Sequence, residues 1–167
     1  MTEQAGTGKG CGISHMIHVN VMCSDFDRSL AFYCDVLGAS VAGGVTEEET
    51  SPGLKDVMGF SGPTTFKGAM LYWGDRDRSS YIDLVQYSEP GARVERMGKD
   101  LGMARIALRV KDVEAAKQQM IANDVELVGD VIDLALKGRG RKILFIRDPD
   151  GTLLELVERV GPSNRED

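Results

Sequence analysis

Four side chains able to move protons or hold ions stand at matching points of the chain: His18, Asp83, Arg105 and Glu155. Imidazole and carboxylate groups take up and release protons and bind cations. A guanidinium stays charged near neutral pH and pairs with carboxylates or anionic ligands. Alternation groups the four. Ile17, Val19, Ile82, Leu84, Ile106, Leu108, Leu154 and Leu156 share the parity of residues packed beneath helices, which turns the four polar groups to the opposite face.

The elements that position them come in two copies. The run from His18 to Asp25 aligns without a gap on Arg105 to Asp112, and Tyr81-Ile-Asp83-Leu-Val matches Leu153-Leu-Glu155-Leu-Val. Each copy opens on an alternating strand and passes into a helix. Ser24 or Asp25 caps the first, whose Phe26, Leu30, Tyr33 and Leu37 recur at helical spacing before Gly38. Asp112 starts the second, with Val113, Ala116 and Met120 on one side and Asn123 at its end. Further strands are expected near 39–43, 66–73 and 80–87, then near 125–128, 141–147 and 152–159, with a long loop over 44–65 and a turn at Asp148-Pro149-Asp150-Gly151. The expectation is an α+β fold of two βαβββ modules forming a curved mixed sheet around a cavity. It makes one domain over 12–160, with halves 14–88 and 102–160. The polar segments 1–11 and 161–167 are read as mobile ends.

Composition narrows the partners. A net charge of −6 offers no basic field for nucleic acid or anionic lipid. No apolar run approaches the roughly 20 residues of a membrane span, and the polar start lacks an apolar signal core, so the expected location is cytoplasmic. Cys11, Cys23 and Cys34 lack paired short spacing and read as reduced thiols.

The helix entry Ser24-Asp-Phe-Asp-Arg-Ser-Leu-Ala-Phe-Tyr-Cys-Asp-Val-Leu-Gly38 and the ending Asp148-Pro-Asp-Gly-Thr-Leu-Leu-Glu155-Leu-Val resemble the vicinal oxygen chelate superfamily of glyoxalase, bleomycin-resistance and extradiol-dioxygenase proteins. The resemblance runs over about 14–160. It implies eight strands around a cavity, often in a homodimer, with four strand positions holding one divalent metal. His18, Asp83 and Glu155 fall on three of those positions and would bind Zn, Ni, Mn or Fe. Glu155 would be the base beside a carbonyl that the metal polarises. The fourth position is Arg105, whose charge repels a cation there. The competing reading is a metal-free pocket in which Arg105 satisfies inward carboxylates or holds a carboxylate, phosphate or phenolate of the substrate.

His15 would substitute as a ligand only from the opposite face of the strand, so it reads as a surface histidine, and iron-dependent ring cleavage is not expected. Arg109 shares the Arg105 face and either adds positive potential to the pocket or sits on a solvated rim. Tyr72, Trp73, Tyr81 and Tyr87 suit stacking on a ligand or plain sheet packing. In Pro52-Gly-Leu-Lys-Asp-Val-Met-Gly-Phe60, Met58 and Phe60 sit on a short flap over the ligand or on a dimer contact. Lys137, Arg139 and Arg141 form a basic stretch able to attract an anionic substrate. The expected function is a glyoxalase-like lyase or isomerase acting on a small molecule beside a carbonyl or enol, with Glu155 and Arg105 catalytic and Arg105, Arg109, Tyr72, Trp73, Met58 and Phe60 binding substrate. The alternative is a sequestering protein of the bleomycin-resistance type, which captures a drug or metabolite without chemistry.

Overall fold

The computed structural model describes residues 11, 13–94, 97–136 and 139–161. The two ends read as mobile lie almost wholly outside the described residues, as does Lys137. Two modules follow one another. The first runs β1 (His18–Met22), α1 (Phe26–Ala31), β2 (Ser40–Glu49), α2 (Pro52–Met58), β3 (Thr65–Tyr72) and β4 (Tyr81–Tyr87). The second runs β5 (Ile106–Arg109), α3 (Val113–Ala122), β6 (Ile132–Leu136), β7 (Arg139–Arg147) and β8 (Leu153–Val160). Their strands form two four-stranded mixed sheets of the same order, β1-β4-β3-β2 and β5-β8-β7-β6, each with its opening strand parallel to its closing strand.

Both module helices begin alike. The Asp25 carboxylate accepts from Arg28 N at 3.1 Å, and Asp112 accepts from Ala115 N at 3.0 Å, so each satisfies a first-turn amide that has no partner inside its helix. Beyond Ala31 the first helix widens into a π-turn over Phe32–Val36 before Gly38, at φ 72°, ends it in the left-handed conformation. The sequence suggested one uninterrupted helix there. The wider turn still places Tyr33 at 0% exposure in the core.

One core joins the modules. Val21, Phe26, Tyr33, Leu71, Ile82 and Leu84 of the first pack in the same cluster as Val113, Met120, Leu144, Ile146, Leu154 and Leu156 of the second. Burying each large side chain contributes roughly 1.5–3 kcal/mol. Polar contacts reinforce the junction. Tyr33 Oη donates to Asp148 Oδ2 at 3.0 Å, Ser24 N and Oγ donate to Asp150 at 3.0 and 2.5 Å, and Arg28 pairs with Asp150 at 3.0 Å.

Three expectations shift. The stretch expected as one long loop contains the outer half of β2 and the capped helix α2, because the β-bulge at Ala42/Val45 lets the strand continue past Gly43 and Gly44, both at positive φ. The strand expected near 125–128 is only a bridge from Leu127 to Ile146; the outer strand β6 forms later, at Ile132–Leu136. Ile17 precedes β1 and is 60% exposed, outside the core assigned to it by parity.

Candidate functional site

Each sheet has one face in the common core and one face outside it. On the outer face of the first sheet, β1 offers His18, Asn20 and Met22, and β4 offers Tyr81, Asp83, Val85 and Tyr87. The register sets Asn20 directly across from Asp83, with His18 across from Tyr81. Asn20 Nδ2 donates to Asp83 Oδ2 at 2.8 Å. Asp83 is therefore held by the neighbouring amide, and His18 lies on the exposed edge of the same face.

The outer face of the second sheet is built differently on the same frame. Glu155 stands between Ala107 of β5 and Phe145 of β7. Ala107 occupies the place corresponding to Asn20 and offers nothing to a carboxylate. Glu155 instead pairs with Arg105 Nε. Its side chain is 9% exposed against 42% for Arg105, whose guanidinium lies 5.7 Å from the Phe145 ring centroid. An almost buried carboxylate thus sits beneath a half-exposed cation that reaches solvent and any ligand resting on this face.

His18, Asp83 and Glu155 lie on two different sheets, and no group of three His, Cys, Asp or Glu side chains among the described residues is placed to hold a metal ion. Arg109 lies next to the site, lining a recess with Ala107 and Val157. Tyr72 packs on Tyr81 with ring centroids 5.9 Å apart, beside His18. Phe60 packs on Tyr87 at 4.7 Å, so the segment after α2 folds back onto the outer face of the first sheet, and Met58 is 43% exposed. Burial, with help from the Asp83 charge, raises the Tyr87 phenol above its ordinary pKa. Trp73 does not join this group. Its Nε1 donates to Leu37 O at 2.7 Å, and it lines a cavity of about 260 Å³ on the helix side with Leu37, Leu108, Met120 and Leu156.

Sequence reasoning gave no role to Asn20 or Phe145. The gapless alignment sets Asn20 against Ala107, and that contrast was the available signal. Phe145 carries no such mark, because its place beside Glu155 depends on the register of β7.

Residues 15–156 match the model of the Glyoxalase/Bleomycin resistance protein/Dioxygenase superfamily. The chain belongs to that superfamily. Similar proteins include the 2-epi-5-epi-valiolone epimerase of an Actinomyces species, 26% identical over 90% of this chain and 83% of its own length. The lactoylglutathione lyase of Salmonella typhimurium is 28% identical over 86% of this chain and 91% of its own. Among solved structures, a glyoxalase family protein from Bacillus cereus superposes with a TM-score of 0.74 at 22% identity, covering 93% of this chain and all of that one, which shows the shared fold. Among the described residues no helix is long and apolar enough to cross a membrane.

Proposed function

We propose that the protein is a glyoxalase-like lyase or isomerase that moves a proton beside a carbonyl or enol of a small molecule. The observation that carries this reading is the Arg105–Glu155 pair on an open sheet face, a carboxylate 9% exposed under a cation 42% exposed. Glu155 takes the proton from the carbon next to the carbonyl. The C–H electrons pass toward the carbonyl oxygen, where Arg105, which has more N–H donors than one carboxylate uses, meets the developing negative charge. Return of the proton to the same or the adjacent carbon completes an epimerisation or isomerisation. The similarity to an epimerase and to a lactoylglutathione lyase fits this class of step.

The superfamily implies a divalent metal, and the residues here fit one poorly. Three of the four strand positions carry ligand types, but the fourth carries Arg105, already set on Glu155. A metal ion at Glu155 would meet that fixed positive charge at contact distance. No step is therefore assigned to a metal. We also propose a homodimer, in which a second copy covers the outer sheet faces and completes the pocket. Light scattering should then give twice the 18.2 kDa of one chain.

The test is hydrogen exchange. The protein is incubated in D2O with a panel of α-hydroxycarbonyl compounds and with lactoylglutathione, and loss of the C–H proton signal is followed by NMR. Exchange that falls at least a hundredfold in Glu155→Gln while ligand binding persists supports the reading. A ligand bound tightly by the unaltered protein without exchange would instead establish sequestration. The stacked pairs Tyr72–Tyr81 and Phe60–Tyr87, which suit a flat ligand, favour that second reading.

A further inference from the structure

Farther along the face that carries Glu155, β7 and β8 bring two guanidinium groups together. Arg141 and Arg159 are direct cross-strand partners. Like charges placed opposite one another on a sheet repel. The next residue across, on β6, is Leu134, and among the described residues neither arginine has a carboxylate in ion-pair contact. In a chain of net charge −6, the two form a local reversal of sign. They also line one recess of about 150 Å³, together with Ala107, Leu108, Arg109 and Val157.

We propose that Arg141 and Arg159 form an anion-binding subsite that takes the carboxylate or phosphate end of an amphipathic ligand. Between this pair and Glu155 lies an apolar row in which Ile143 pairs with Val157 on one side and Ile132 on the other. Glu155, Val157 and Arg159 alternate along β8 onto one face, so the charged pair stands about 13 Å from Glu155. A ligand spanning that distance presents an anion at one end, a hydrocarbon segment over Val157 and Ala107 of the recess, beside the 3% exposed Ile143, and its reacting carbon at the other. Only that last element rests on the proposed function; the subsite itself does not require turnover.

The full chain, labelled with 15N in its arginine side chains, is titrated with acetate, inorganic phosphate and octanoate, and the Arg Nε–H signals are followed by NMR. The proposal expects saturable shifts of Arg141 and Arg159, with octanoate binding at least tenfold more tightly than acetate because it also covers the apolar row. Tighter phosphate than acetate identifies a phosphoryl end, and the reverse a carboxyl end; both support the subsite. Arg159→Gln or Arg141→Gln should weaken octanoate at least tenfold, while Arg78→Gln, in the 3-10 turn Arg76–Arg78 of the other module, leaves it unchanged. Shifts that grow linearly without saturation, or an equal loss in Arg78→Gln, would overturn the proposal. Saturable binding at Arg159 without proton exchange on any substrate leaves the subsite standing and removes the catalytic reading.

Discussion

Ala107 stands directly opposite Glu155 in the β5–β8 register, at the place that Asn20 holds opposite Asp83. Two carboxylates at equivalent points of a repeated module thus have different keepers, a neutral amide in one and a cation from just before the opening strand in the other. The Ala107→Asn substitution would give Glu155 an amide like that of Asn20 and loosen its hold on Arg105. The Arg105 Nε–H resonance should then move toward that of an exposed arginine. Because Ala107 is exposed, the cost in stability should stay within about 0.5 kcal/mol. An unchanged Arg105 signal would show that register does not control the pair.

Arg105 also bears on the metal. Equilibrium dialysis against Zn, Ni or Mn should show weak uptake by the unaltered protein and at least tenfold tighter binding by Arg105→His, which removes the fixed charge and adds a nitrogen ligand. Equal stoichiometric uptake by both would restore the metal-assisted route through His18, Asp83 and Glu155.

Tyr33 ties the modules through Asp148, whose other oxygen accepts from the backbone N–H groups of Asp150 and Thr152. The Tyr33→Phe change leaves Asp148 Oδ2 without that donor in a site where Asp148 is 5% exposed. The expected cost is about 1–2 kcal/mol, read in a thermal melt as a fall of roughly 3–6 °C. An unaltered melting point would mean that packing alone holds the junction.

Asp150 makes that junction sensitive to acid. Burial alone would raise its carboxyl, but the Ser24 hydroxyl and amide and the Arg28 guanidinium outweigh burial and hold it below the ordinary 3.8. A depressed carboxyl contributes stability above its unfolded value and loses it as pH falls through the lower folded value. Denaturant unfolding between pH 5 and 2 should therefore weaken more steeply in the unaltered protein than in Asp150→Asn. Parallel curves would rule out Asp150 as the source.

Thiol reactivity should sort by burial. Desolvation, reinforced by the Asp150 charge, pushes the Cys23 thiol up to about 11, and burial followed by Asp35 raises Cys34, whereas Cys11 is exposed. At pH 8, iodoacetamide should modify Cys11 first, with Cys23 labelled only on unfolding. Peptide mass mapping checks the order, and early labelling at Cys23 would contradict its burial.

The repeated order of elements was legible because each half states it independently: an alternating strand, an aspartate cap, a helical apolar stripe and a closing strand with an acid at the same place. The α+β fold followed from those repeats, and the family resemblance from the helix entry Ser24 to Gly38 and the ending Asp148 to Val157. The extension of β2 was not legible, since Gly43 and Gly44 read as loop formers and only the bulge lets them lie within a strand. The delay of β6 to Ile132 was equally hidden, because the stretch Val125-Glu-Leu-Val128 looks like a strand until the pairing with β7 is known. At the site, parity placed Glu155 and Arg105 on one face, and the structure pairs them. Parity says nothing about which neighbour a carboxylate chooses, so the hold of Asn20 on Asp83 was not legible. Trp73 follows Tyr72 by one residue and so lies on the helix side, lining the cavity there instead of the outer sheet face.

The two sheets remain separate ladders, joined by the buried cluster and by Tyr33, Ser24 and Arg28 reaching to the turn at Asp148 and Asp150. The placement of one sheet against the other is therefore set by side chains and not by a backbone ladder. A substitution in the shared cluster, or at Tyr33, Ser24 or Arg28, acts on both sheets at once, so neither half is insulated from a change in the other.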